Sequence, residues 1–64
     1  MTKPQIKKLE KAVREFHARS GSFTLAADVL GLEIKDVIYL MKSTDADKAE
    51  HFKNKTFSNF NFNV

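Results

Sequence analysis

The chain contains no cysteine. That excludes a disulfide staple and a thiolate metal site, and it fits a reducing compartment. Two histidines with no cysteine between them do not make a structural zinc site. No apolar run approaches the ~20 residues of a membrane span. The opening stretch, MTKPQIKKLEK, turns charged at once and lacks the apolar core of a secretory signal. A cytoplasmic protein with no membrane partner is therefore expected. There is no glycine-rich phosphate loop and no Ser–His–Asp set. Asp28, Glu33 and Asp36 fall on different faces of different elements, with no nucleophile or base beside them. No catalytic residue, metal ligand or cofactor is expected, and the chain does not read as an enzyme.

What remains is a 64-residue chain that is 42% hydrophobic, enough for one small core. A domain of this size buries only about 60% of its unfolded surface, and association with a partner is one remedy for so thin a margin. The net charge of +3 is unevenly spread. Residues 1–22 carry six basic and two acidic side chains, residues 23–43 are net −1, and residues 44–64 are neutral.

The single proline and both glycines fall where helix ends are expected. Pro4 suits a first turn. Ile6, Leu9, Val13 and Phe16 then follow at helical spacing, with Lys3, Lys7, Lys11 and Arg14 on the opposite face. Ser20-Gly21-Ser22 ends this helix and caps the next. A short helix over residues 23–30 stops at Gly31, and a third runs from about Glu33 to Lys42. Thr44 with Asp47 reads as a weak capping box for a fourth helix, about Asp45 to Lys53. Near the end of the chain phenylalanine alternates with asparagine. Period two suits a strand, and with no evident pairing partner a free tail is the other reading. The chain divides into residues 1–53 and a tail, residues 54–64.

The second and third segments carry the functional argument. A helix-turn-helix needs a small residue where its helices cross, glycine in the turn, and apolar anchors on both sides. Ala27 is the small residue, Gly31 the turn, and Ala26, Leu30, Leu32, Val37 and Leu40 the anchors. The run from Gly21 to Leu32, GSFTLAADVLGL, resembles the corresponding segment of the factor-for-inversion-stimulation type, also found in bacterial enhancer-binding regulators. Phage regulators of the Cro type share the same core unit in chains of similar length. The resemblance covers about residues 5–42. It implies a three-helix helix-turn-helix core, and with the short fourth helix and extended C-terminal tail read from residues 44–64 the expected fold is all-α, apart from any strand in the tail.

The resemblance also implies double-stranded DNA as partner and a small transcription regulator, such as a repressor, of bacterial or phage origin. Carried over by register, the third helix would present Glu33, Ile34, Lys35, Ile38, Tyr39 and Lys42 to the major groove, with Thr24 on a phosphate. Lys3, Lys7, Lys11 and Arg14 could add phosphate contacts, although such a row is usually a solvated face. Glu10 and Arg14 are spaced as an i,i+4 pair. His17 and His51 read as partly buried or solvated residues, Phe16 and Phe23 as core. One departure stands out: Glu33–Lys42 contains no arginine, glutamine, asparagine or serine, the usual readers of bases. Its isoleucines could meet thymine methyls, lie under the tail, or face a protein. The rival function is thus a protein-interaction module, or a homodimer, using the third helix and the aromatic tail of Phe52, Phe57, Phe60 and Phe62.

Overall fold

Thr2 starts the first helix by a reciprocal cap. Its hydroxyl accepts from the Gln5 N–H at 3.4 Å, while the Gln5 side-chain oxygen accepts from the Thr2 N–H at 2.9 Å. Helix α1 then runs Lys3–Ser20, with Pro4 in the first turn. It ends at Gly21, whose φ of 71° puts the backbone in the left-handed region. Ser22 caps α2, Phe23–Leu30, through its hydroxyl and the Leu25 N–H. Helix α3 is Ile34–Lys42, and α4 is Asp45–Phe52, capped by the Thr44 hydroxyl on the Asp47 N–H. The computed structural model describes residues 1–57. Among them the fold is all-α, four helices with no strand. The strand or free tail expected near the C-terminus falls mainly on residues 58–64, outside the described residues.

The turn between α2 and α3 is tight, and each residue in it has a defined task. Gly31 has φ 75°. Its N–H reaches the Asp28 carbonyl at 3.3 Å, and the Leu32 N–H reaches the Ala27 carbonyl at 2.7 Å. This double closure consumes carbonyls that the helix end would otherwise leave bare. Ala27 and Leu32, joined by that bond, are both buried in the core.

Ile6, Leu9 and Val13 of α1 meet Ala27, Leu32, Val37 and Leu40, and Phe52 of α4 closes the cluster with no exposed surface. Helices α1 and α3 each pack on all the others, whereas α2 and α4 do not touch. Lys48 of α4 crosses to Glu10 of α1 at 2.6 Å, with both side chains largely sheltered. The amino group of Met1 donates to the carbonyls of Phe52 and Lys53 at 3.0 and 3.2 Å, tying the N-terminus to the end of α4.

Several expectations are corrected. Among the described residues, Phe52 and Phe57 do not form an aromatic surface for a partner. Phe52 is core, Phe57 is half-buried against its edge with ring centroids 6.0 Å apart, and Phe60 and Phe62 lie outside the described residues. A protein contact or dimer seam built on those rings therefore has no basis here. Phe23 is not core: it is 39% exposed and stacks on His17 at 3.8 Å. Its ring packs on His17 of α1, which is itself outside the core cluster. Phe16 and Leu30 are half-buried. Glu10 pairs with Lys48 rather than with Arg14, because α4 brings a lysine onto its carboxylate.

Candidate nucleic-acid interface

Helix α3 has two distinct faces. Inward are Asp36, Val37 and Leu40, all buried. Outward are Glu33, Ile34, Lys35, Ile38 and Lys42, all exposed, with Thr24 exposed at the start of α2. Six of the seven residues assigned to DNA by register thus lie on open surface. Tyr39 is the exception: it is half-buried and its ring stacks on His51, with centroids 3.9 Å apart and planes within 7°.

An acid buried on the inward face needs partners, and Asp36 has three. One carboxylate oxygen accepts from the Glu33 N–H at 3.0 Å, closing the first turn of α3. The other accepts from His51 Nε2 at 2.7 Å and from Lys55 Nζ at 2.9 Å. Burial works to raise the Asp36 carboxyl. The hydrogen bonds from Lys55, Glu33 and His51, with the Lys55 charge, outweigh it and hold the group below the usual aspartate value. The network locks the N-terminal half of α3 onto α4 and the segment after it, and so fixes which side of α3 faces out. No buried side-chain nitrogen or oxygen among the described residues lacks a partner.

Two open grooves flank these elements. One, of about 520 Å³, lies between α3 and α4 and is lined by Ile38, Tyr39, Ser43, Asp47, Glu50 and His51. It places two carboxylates beside the C-terminal half of the outward face. The other, of about 290 Å³, lies between α1 and α4, where Lys3 and Lys7 meet Glu10, Asp45 and Lys48. The basic row of α1 is exposed as expected, but Lys3 and Lys7 are grouped with α4, not with the outward face of α3.

No protein family, curated protein or solved structure matches the chain. The interface is therefore read from its own chemistry. Among the described residues, no group of three or more histidine, aspartate or glutamate side chains could hold a metal ion, and no helix is long and apolar enough to cross a membrane. Among the described residues, the large exposed apolar side chains are Phe23, Leu25, Val29, Ile34 and Ile38, all on α2 and α3. Such a concentration on two adjacent elements marks a contact surface more often than scattered exposure does. Sequence reasoning does not find the Asp36–His51–Lys55 network. One signal for it is present: Asp36 sits four residues after Leu32 and four before Leu40, on the stripe that faces the core.

Proposed function

We propose that the chain is a small helix-turn-helix DNA-binding protein that lays α3 in the major groove, acting as a transcription regulator of bacterial or phage type. The observation that carries this reading is the α2–Gly31–α3 unit. Its turn glycine is left-handed, its small residue Ala27 is buried in the core, and its second helix turns Val37 and Leu40 inward while Ile34, Lys35, Ile38 and Lys42 stay exposed. Helix-turn-helix readers use that arrangement to bring the N-terminal and outward side chains of the second helix to base edges. On this reading Lys35 and Lys42 supply the positive charge of the face, and Thr24 meets a phosphate from the start of α2. Tyr39, held by His51, supports α3 from the side.

A mobility-shift titration on duplex DNA at two salt concentrations tests the proposal. Binding should weaken as salt rises, and Lys35→Ala with Lys42→Ala should reduce the slope by roughly one unit for each phosphate left unneutralised. No shift of any duplex at low salt would refute it.

A further inference from the structure

We infer that α3 selects its DNA by the C5 methyl groups of thymine, with Ile34 and Ile38 as the reading side chains. The inference rests on the DNA-binding reading above and narrows it to a class of sequence. The two isoleucines are 45% and 50% exposed, on the outward face of a helix whose inward side is already filled. They are four residues apart, so they rise about 6 Å along the helix axis, close to the span of two stacked base steps at about 3.4 Å each. Hydrogen-bonding readers are scarce on that face. Asp36 faces inward with its carboxylate taken by three partners, and Tyr39 is half-buried with its ring stacked on His51. Glu33, Lys35 and Lys42 remain, at the two ends of the helix.

In the major groove, thymine is the one base that presents a methyl group, and apolar side chains read it by contact. Two isoleucines with Lys35 between them in sequence and Lys42 one turn beyond Ile38 are complementary to methyls flanked by phosphates. Asp47 and Glu50, beside Ile38 in the α3–α4 groove, repel phosphates on that side. The nearer strand should therefore pass on the α2 side, where Thr24 stands.

The test uses the full chain and a duplex pool with a randomised centre, enriched on the immobilised protein over successive rounds. Enriched duplexes should carry adjacent thymines. Remade with deoxyuridine in place of thymidine, they should bind on the order of tenfold more weakly, about fourfold for each methyl removed from an apolar contact. The variant Ile34→Ala with Ile38→Ala, both exposed and so compatible with the fold, should bind the thymine and uracil forms alike. Equal binding of both forms by the wild-type chain would overturn the methyl reading and leave DNA binding standing. A preference that survives in the double variant would also overturn it, since DNA shape would then be the cause. If the chain retains no duplex at all, the DNA reading itself falls and takes this inference with it.

Discussion

Asp36 shows how one side chain can set the orientation of a helix. Its carboxylate is nearly inaccessible, yet two cationic or polar side chains and one backbone N–H satisfy it. Because its folded pKa lies below the ordinary aspartate value, the stability it contributes is present above that value. It is lost as pH falls from about 4 through the folded pKa. Asp36→Asn keeps the shape and removes the charge. We expect it to cost about 1–3 kcal/mol at neutral pH and to flatten the acid limb of a denaturant-melt series. If the variant loses stability with acid as steeply as the wild type, the acid limb belongs to other carboxylates. Lys48 works in the opposite sense. The hydrogen bond to Glu10 outweighs partial burial and holds its ammonium above the ordinary lysine value, so that contribution disappears only as pH rises past about 10.5.

Helix ends and their turns carry most of the information in this chain. Thr2, Ser22 and Thr44 each place a hydroxyl on a helix N-terminus, and Gly21 and Gly31 end the first two helices with positive φ. Hydroxyl caps and glycine stops are local, so the starts of α1, α2 and α4 and the ends of α1 and α2 are legible in the sequence to within a residue or two. The two glycines differ in their surroundings. Nothing lies within 4 Å of a Cβ added at Gly21, so replacing it costs only the backbone conformation, about 1 kcal/mol for asparagine or alanine. At Gly31, valine adds β-branching to the same backbone strain inside a turn closed by two hydrogen bonds, and Ala27→Leu forces methylenes into the buried core at ~1–3 kcal/mol or more. Both Gly31→Val and Ala27→Leu should lower the thermal midpoint sharply relative to Gly21→Asn. Melts of all three that coincide with wild type would refute the tight crossing of α2 and α3.

What the sequence does not show is long-range. Asp36 and its partners His51 and Lys55 are 15 and 19 positions apart, and only the packing of α4 on α3 brings them together. The same holds for Glu10 and Lys48, 38 positions apart, where an apparent i,i+4 partner within α1 is displaced by a better one from α4. Phe23 misleads for a different reason. An aromatic at the head of a helix reads as core by composition, yet it has a surface partner in His17. The acids of α4 are legible as residues but not as neighbours of α3. Asp47→Asn with Glu50→Gln should strengthen duplex binding several-fold at low salt and less at high salt, as expected when like charge beside the interface is removed. An unchanged affinity would place the DNA backbone away from the α3–α4 groove.

At the scale of the whole molecule, α4 acts as a brace. Phe52 fills the centre of the core, Lys48 ties α4 to α1, and His51 with Lys55 ties it to α3. In so small a domain, Phe52→Ala should remove about 3–5 kcal/mol, comparable to the total stability available to a core of this size. A chain that stays folded at room temperature after that change would contradict the central place given to Phe52. The brace also leaves α2 and the outward face of α3 uncovered among the described residues, on one continuous helix-turn-helix unit. The most direct test of that unit's role is an amide NMR titration of the intact chain with duplex DNA. Salt-sensitive shifts concentrated at residues 23–25 and 33–42, with α1 and the far side of α4 little changed, are the predicted result. Shifts absent throughout, or confined to the lysine row of α1, would contradict it.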